Sequence, residues 1–327
     1  MQNLITRRGF NLGLGAGAAS LWLGGGAALA QTKTISIGTG GTGGVYYPLG
    51  GAIANVLTKN LPGMQATAEV TGGSVDNLKL IASGQSEIGF SMADAALDAF
   101  KGEDKFKSGK VPLQTLLVLY PNRMHVATVE GAGIEKMSDL KGKRVSTGSP
   151  GSATEVMAFR VIEAAGLDKD KDMKRERLSV AESVNALKDR KIDAFFWVGG
   201  IPTAAVTDLA ATPGLKMKLI DHGDLAEKMN AKYGKLYAPG TIPAGSYPSY
   251  DKPNQNVDVW NILVTGAKMS EDDAYKIVKT LVERKADLVA VHKDAEAFSL
   301  ENQIQARSPV PFHPGALKYF AEKGVKG

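Results

Sequence analysis

A glycine-rich turn that recurs between a predicted strand and a predicted helix restricts the fold of this chain more than any other sequence feature. The longest example is residues 38–48, Gly-Thr-Gly-Gly-Thr-Gly-Gly-Val-Tyr-Tyr-Pro, and shorter ones lie at residues 71–74 and 148–152. Glycine permits a tight backbone path and lets the chain approach a ligand closely. Strand, turn and helix repeated in this order predict an α/β fold with mostly parallel sheets.

The predicted elements form two blocks, residues 32–120 and 123–220, and each block opens with a strand and a Gly/Ser-rich turn. A length of 327 residues also suits two domains. Long apolar strands over residues 114–129 and 257–265 connect the blocks. The sequence therefore predicts two lobes, each a mostly parallel sheet flanked by helices, joined by a two-strand hinge with a cleft between them. The boundaries that follow are residues 32–120 plus 256–327 for lobe 1 and residues 121–255 for lobe 2.

Residues 1–30 have the properties of a cleaved export signal. They contain Arg7 and Arg8, no acidic residue, a Gly/Ala-rich apolar run and the small-x-small sequence Ala-Leu-Ala at residues 28–30. The paired arginines before Phe10 are typical of a twin-arginine signal. Adjacent arginines occur in ordinary secretory signals too, so both export routes fit. In either case we expect a periplasmic protein.

The composition excludes several classes of function. The chain has no Cys, so it has no disulfide, no thiolate metal site and no Cys nucleophile. Its four His residues have no metal-ligand spacing. The formal net charge is +5 without a basic run, so we expect no nucleic-acid partner. The serine-hydrolase elbow and the P-loop pattern are missing from the sequence. We therefore expect a protein that is not an enzyme and has no metal or cofactor.

A dinucleotide fingerprint, G-x-G-x-x-G, can be fitted to residues 38–43, but it suits the surrounding sequence poorly. The fingerprint requires an acidic residue at the end of a second strand about 20 residues later. Here the first helix continues to Leu61, and the next strand ends near Glu69 and Val70 before a second glycine turn. The bulky Tyr-Tyr-Pro sequence also stands where a pyrophosphate-binding helix packs closely. A tight structural turn without a ligand is the other alternative.

Polar residues of the turns are the candidate ligand-binding residues. Ligands of open α/β sheets bind beyond the carboxyl ends of the strands, and helix N-termini favour anions. Helix capping is the alternative for any single Ser, and core packing is the alternative for His125 and Trp197. His313 is assigned to the start of a helix. The candidate set is Thr42, Gly43, Gly44, Tyr46, Ser74, Ser91, Tyr120, His125, Ser149, Ser152, Thr154 and Trp197.

Seven segments resemble the TAXI-type solute-binding proteins of tripartite ATP-independent periplasmic (TRAP) transporters. The specific ones are residues 40–48, Gly-Gly-Thr-Gly-Gly-Val-Tyr-Tyr-Pro, and residues 313–316, His-Pro-Gly-Ala. They occur in the family's order along the chain, together with residues 72–77, 84–90, 140–145, 148–152 and 193–196. Two of the seven, Leu-Lys-Gly-Lys-Arg-Val and Asp-Ala-Phe-Phe, recur in other periplasmic binding proteins.

The resemblance implies a type II-like periplasmic binding protein whose two lobes close on a small anionic solute. Known ligands of the family are organic acids such as glutamate or 2-oxoglutarate, and the partner is a TRAP membrane permease driven by an ion gradient. We see no apolar helical pattern in the sequence that would need an obligate protein partner to cover it, so we expect a monomer. Two alternatives stay open: a ligand-sensing module for a signalling partner, and a cofactor-containing periplasmic enzyme, which the twin-arginine start favours slightly.

Overall fold

The structure is a computed structural model that describes residues 32–325, and the export signal predicted for residues 1–30 lies outside the described residues. The strands are β1 (Lys33–Gly38), β2 (Met64–Glu69), β3 (Ile88–Met92), β4 (Leu113–Val129), β5 (Arg144–Ser146), β6 (Lys174–Glu176), β7 (Ala194–Gly199), β8 (Met217–Leu219), β9 (Tyr237–Ile242) and β10 (Asn254–Gly266). The helices are α1 (Tyr46–Asn60), α2 (Ser74–Ser83), α3 (Ala93–Lys101), α4 (Ala153–Ala164), α5 (Val180–Lys188), α6 (Ala204–Ala210), α7 (Ala226–Tyr233), α8 (Glu271–Glu283), α9 (Lys285–Val289) and α10 (Pro314–Glu322).

The strands form one mixed sheet in the order β2-β1-β3-β10-β4-β7-β5-β6, with β8 beside β4 and β9 beside β10. The strands β2-β1-β3 are parallel to one another, and so are β6-β5-β7. Between these groups lie β4 and β10, which are antiparallel to each other and to the strands beside them. The α/β two-lobe fold with a two-strand connection is therefore confirmed.

The connecting strand β4 is one continuous strand of 17 residues. Within this connection the sequence pattern predicts two strands, residues 114–120 and 125–129, that meet near Pro121 and Asn122. Proline has no N–H for a sheet ladder and is tolerated at irregularities. The pairing of β4 with β10 shifts register between Trp260 and Ile262, next to the position of Pro121, so the missing donor falls at such an irregularity.

The strand β9 lies in a segment, residues 237–255, that the sequence predicts as an irregular connection because it contains four prolines. Within the described topology β9 pairs with β10 alone, so it is an edge strand. An edge strand leaves one row of N–H groups unpaired, and Pro239 is compatible with that position. The prediction for residues 237–242 was therefore wrong.

Helices cover the sheet and enclose a core that runs through both lobes. Fully buried side chains from the β1–β3 side, including Ile35, Ile37 and Phe90, belong to the same apolar cluster as Val118 and Leu263 of the connecting strands. Burial of such side chains contributes roughly 1.5–3 kcal/mol each relative to exposure. The C-terminal helix α8 packs against α1 and α10. The core therefore joins the C-terminal helices to the lobe that contains β1.

A buried ionic cluster joins α3 of one lobe to α4 of the other. The guanidinium of Arg160 lies 2.5 Å from Asp98 and 3.6 Å from Asp94, and it donates to the Tyr237 hydroxyl at 2.9 Å. The Tyr237 hydroxyl in turn donates to Asp94 at 2.9 Å. Burial raises the pKa of Asp98 to about 7 and also raises the pKa of Asp94, because desolvation outweighs the attraction of Arg160. The carboxyl groups of Asp94 and Asp98 thus share Arg160 as their one counter-ion within the cluster.

The variant Arg160→Met should lose about 3–5 kcal/mol of unfolding free energy at pH 8, because it leaves buried carboxylates without their cation. The loss should be smaller at pH 5. The carboxyl groups of Asp94 and Asp98 have raised pKa values in the folded state. They therefore take up protons as the pH falls and become neutral, which removes the unpaired buried charge. Urea unfolding at the two pH values measures both effects.

The matched control is Lys171→Met, since Lys171 makes an exposed ion pair with Asp168. We expect it to change the unfolding free energy by less than about 0.5 kcal/mol. An Arg160→Met protein as stable as this control at pH 8 would show that the cluster does not stabilise the fold.

Candidate functional site

A cavity of about 220 Å³ lies between the lobes, at the carboxyl ends of the parallel strands. Its walls are the turns that precede α1, α2, α4 and α5, together with the first residues of those helices. Residues of β4 and the end of β7 complete the lining. The recurring glycine-rich turns of the sequence therefore meet at one place, as the alternation of strands and helices predicts.

The structure brings ten of the twelve sequence-predicted site residues to this cavity. They are Thr42, Gly43, Gly44, Tyr46, Ser74, Tyr120, Ser149, Ser152, Thr154 and Trp197. The capping alternative also holds for Ser152, whose hydroxyl accepts from the Glu155 amide at 3.2 Å and donates to the Ser149 carbonyl at 2.7 Å. Ser152 thus fixes the turn before α4 as well as lining the cavity.

The other two residues, Ser91 and His125, do not line the cavity. Ser91 is buried in β3, where its hydroxyl donates to the Met92 carbonyl at 2.9 Å. His125 is buried in β4, and its ring nitrogens lie 2.9 Å from the Arg123 carbonyl and 2.8 Å from the Tyr247 hydroxyl. Neighbouring side chains of a strand point to opposite faces, so an odd-numbered residue of β4 faces away from Tyr120 and Asn122. The core alternative for His125 is the correct one.

Four helices begin at the cavity, and they differ in how their first amides are satisfied. The helices α4 and α5 are capped by the hydroxyls of Ser152 and Ser179. The residues that precede α1 and α2 are Val45 and Gly73, and neither helix has a side-chain cap. The first amides of a helix have no acceptor within the helix and carry partial positive charge. The starts of α1 and α2 can therefore donate to an anion in the cavity. In α2 the Asp76 amide already donates to the Gly151 carbonyl, which leaves the amides of Ser74 and Val75 for this role.

The cavity holds dipoles but no full charges. Within the described range, its lining residues include no Asp, Glu, Lys, Arg or His. In the same part of the chain no cluster of three metal-ligand side chains occurs, and no helix is both long and apolar enough to cross a bilayer. An anion at this site would therefore be stabilised by helix starts, hydroxyls and amides.

Backbone contacts between the lobes close the cavity at its rim. The Ala205 amide donates to the Gly43 carbonyl at 3.3 Å, and the Asp76 amide donates to the Gly151 carbonyl at 3.1 Å. A third contact runs from the Ser149 hydroxyl to the Gly72 carbonyl at 3.2 Å. Because these bonds join turns of different lobes, the structure represents the closed arrangement.

Glycine at position 44 is required by this closed arrangement. A Cβ atom on Gly44 would lie 2.9 Å from the indole ring of Trp197, closer than side-chain carbons pack. The indole is held in place because its N–H donates to the Thr203 hydroxyl at 2.9 Å. The glycine-rich turn before α1 thus allows backbone and indole to approach each other across the cleft.

Polar side chains of the connecting strands lie beneath the helix starts. The Tyr46 hydroxyl and the side-chain Nδ2 of Asn122 both donate to the side-chain Oδ1 of Asn261, the second at 2.6 Å. Tyr46 also stacks on Phe90, with ring centroids 4.9 Å apart. Burial raises the pKa values of Tyr46 and Tyr120 well above the ordinary value, so both are neutral donors. The Tyr120 hydroxyl and the side-chain Oδ1 of Asn122 are buried without a hydrogen-bond partner in the described structure.

Two residues with polar side chains in the described lining, Ser179 and Asn122, were not predicted from the sequence. A signal for Ser179 was available, because Ser179 and Glu182 have the S-x-x-E spacing of a capping box, which the structure contains. Nothing in the sequence marks Asn122, since its place depends on how β4 pairs with β10. By contrast, His313 begins α10 as predicted, and its ring accepts from the Gly315 amide at 3.1 Å.

Two lobes that share a pair of connecting strands and enclose a cavity between them form the two-lobe fold of periplasmic binding proteins. Solved structures of this fold are similar to the chain. A protein from Bordetella bronchiseptica RB50 has a TM-score of 0.54 and 17% identity, with 89% of each chain covered. The alkanesulfonate-binding protein SsuA from Xanthomonas axonopodis pv. citri, bound to MOPS, has a TM-score of 0.50 and 14% identity, with 90% of this chain and 94% of that chain covered.

The periplasmic aliphatic sulphonate binding protein SsuA from Escherichia coli has a TM-score of 0.48 and 13% identity, with 90% of this chain and 94% of that chain covered. Residues 37–324 match the NMT1-like family. The chain therefore belongs to the NMT1-like family. The matched range contains all ten cavity residues that the sequence predicts.

The imidazole of His125 should stay neutral throughout the physiological pH range, because burial lowers its pKa to about 4. An NMR titration of the ring, assigned by comparison with His125→Gln, should show no change from pH 8 to pH 5.5. The same protein unfolded in urea is the control, and there the ring should titrate near 6.5. As the pH falls, His125 is protonated in the unfolded chain before it is protonated in the folded protein. Its contribution therefore lowers the free energy of unfolding as the pH falls from 6.5 to 4. A midpoint near 6.5 in the folded protein would contradict the buried placement.

Proposed function

We propose that this chain is an extracytoplasmic solute receptor that binds a small organic acid between its lobes and delivers it to a TRAP permease. The observation that carries the proposal is the neutral cavity enclosed between two lobes, with helix starts directed at it and backbone hydrogen bonds across its rim. Reversible binding needs no covalent step, so the proposed protein is not an enzyme. It acts in the periplasm as a monomer.

In this proposal the acid group is held by the uncapped starts of α1 and α2. Hydroxyl groups of Thr42 and Ser74 in lobe 1 and of Thr154 in lobe 2 donate to it or to its neighbours, and Trp197 covers it. The Ser149 hydroxyl of lobe 2 holds the cleft closed over the acid by donating to the Gly72 carbonyl of lobe 1. Lobe 1 is residues 32–120 with 256–327, and lobe 2 is residues 121–255. Rotation about the two connecting strands opens and closes the cleft, and closure removes water, which strengthens each hydrogen bond.

Three observations support this proposal over a structural role for the turns. The hydroxyl-bearing turns of both lobes meet at the same cavity. The helix starts that face it are suited to an anion. A protein of the same fold from Xanthomonas axonopodis is an alkanesulfonate-binding protein, so an acid ligand is compatible with this architecture. The resemblance of residues 40–48 and 313–316 to TAXI-type proteins is what favours a TRAP permease as the partner.

Loss of the Thr42 hydroxyl should weaken binding about ten- to a hundredfold, because one hydrogen bond to a charged group contributes roughly 1.5–3 kcal/mol. Loss of the Ser149 hydroxyl should weaken binding about fivefold, because it removes the neutral hydrogen bond to the Gly72 carbonyl that holds the cleft closed. The ligand is first found by thermal unfolding of the protein, stripped of bound solute by unfolding and refolding, against a panel of organic acids. A ligand at 100 times its Kd adds about 2.7 kcal/mol and shifts the midpoint by several degrees. Isothermal titration calorimetry of Thr42→Ala and Ser149→Ala then gives the two affinities.

Thr67→Ala is the matched control, since Thr67 is exposed on β2 outside the cavity and its hydroxyl bonds only to Glu69. Its affinity should equal that of the unaltered protein, and all three variants should keep the unfolding free energy within about 0.5 kcal/mol. Unchanged affinity in both cavity variants would show that the ligand binds elsewhere.

Solute uptake by cells that carry the receptor should depend on an ion gradient and not on ATP hydrolysis. An ionophore should abolish uptake of the labelled solute, whereas vanadate should leave it intact. If vanadate stops uptake, the partner is an ATP-driven permease and not a TRAP permease. The receptor proposal would still stand in that case. A bound solute that is never taken up, together with a solute-dependent protein partner, would instead establish the sensing alternative.

A further inference from the structure

We infer that the solute carries a single negative charge on its head group and an uncharged, largely apolar body with at most one neutral polar atom. The inference rests on the proposed function and narrows it to monocarboxylates or monosulfonates. It departs from the amino acids and dicarboxylates that the resemblance implies, and it follows from three properties of the cavity.

The first property is the lack of full charges. None of the described lining residues is Asp, Glu, Lys, Arg or His. A second carboxylate in the closed cavity would lose its hydration without gaining a cation, and an ammonium group would lose it without gaining a carboxylate. Burial of an unpaired ion costs several kcal/mol even after the protein relaxes. The site therefore selects against glutamate-like ligands, which carry both groups.

The second property is an uneven distribution of polar groups. The turns before the uncapped starts of α1 and α2 adjoin, since a Cβ atom on Gly40 would lie 4.0 Å from the Gly73 Cα, and this juxtaposition suits one anionic head. The rest of the lining includes the side chains of Met92, Val180, Phe196, Trp197 and Val198. Apolar surface of this kind gains free energy by covering apolar carbon, at roughly 25 cal/mol per Å².

The third property is the pair of unpartnered polar atoms among the lining residues from β4. Both Tyr120 and Asn122 line the cavity. Within residues 32–325 the Tyr120 hydroxyl and the side-chain Oδ1 of Asn122 are buried without a hydrogen-bond partner. Buried polar groups of folded proteins nearly always have one. A neutral oxygen on the ligand, such as a ketone or hydroxyl, would accept from Tyr120 without needing a counter-ion. Tyr120 is thus a specificity-determining residue of the site.

A series of five-carbon acids and one matched sulfonate tests the inference by calorimetry on the stripped protein. Pentanoate, 2-oxopentanoate and 4-oxopentanoate have a single charge, glutarate adds a second carboxylate, norvaline adds an ammonium group, and butane-1-sulfonate replaces only the carboxylate of pentanoate. At least one of the singly charged acids should bind ten or more times tighter than both glutarate and norvaline. The sulfonate arm decides which of the two head groups is preferred.

A tighter complex with glutarate or norvaline would overturn the inference and leave the receptor proposal standing. Failure of every acid in the series and in the wider panel to bind would instead overturn the proposed function itself. The two failures are therefore distinguishable in one set of titrations.

The variant Tyr120→Phe tests the polar atom separately. It removes a hydroxyl that has no partner, so the fold should be retained. Its affinity for the better oxo acid should fall about tenfold, whereas its affinity for pentanoate should change less than threefold. Tyr275→Phe, which removes an exposed hydroxyl bonded to Glu322, should alter neither. If Tyr120→Phe loses the same affinity for the oxo acid as for pentanoate, Tyr120 has a structural role only.

Discussion

The pairing of β4 with β10 is the interaction on which the rest of this structure depends. These two strands pair with each other over residues of both lobes, and each also pairs with one parallel group. In sheet order β10 follows β2-β1-β3, and β4 follows β6-β5-β7, so the two lobes repeat one topology with the connecting strands exchanged. Without the β4–β10 ladder each parallel group would keep one antiparallel strand beside it, but nothing in the sheet would join the two lobes.

The direction of the connecting strands also decides where the cavity lies. Because β3 is parallel to β4 and β7 is antiparallel to it, the two parallel groups point their carboxyl ends at each other. Met92 at the end of β3 pairs with Asn261, and Gly199 at the end of β7 pairs with Arg123, so both groups end near the middle of the connecting strands. The turns and helix starts that follow must therefore meet there. A site for a small ligand is a consequence of the sheet order.

Features that depend on local chemistry could be predicted from the sequence, and features that depend on tertiary pairing could not. The glycine turns, the helix starts after them and the long connecting strands follow from residue pattern, and so does the meeting of ten predicted residues at one cavity. The continuity of β4 through Pro121, the edge strand β9 and the position of Asn122 depend on pairing with β10, which no local pattern encodes. His125 was misplaced because the face of a strand that meets the cavity depends on register.

The buried ionic cluster and the neutral cavity are best understood together, since α4 takes part in both and α3 begins directly after Met92 of the cavity lining. Asp94 lies in the first turn of α3, two residues after Met92, and its charge acts on Tyr46. An unpaired carboxylate there would repel an anionic solute through a medium of low dielectric constant. Arg160 of the other lobe lies 3.6 Å from it and offsets that charge. Because Arg160 and Asp94 belong to different lobes, the charge of Asp94 beside the cavity is offset in this closed arrangement by a cation from the opposite lobe.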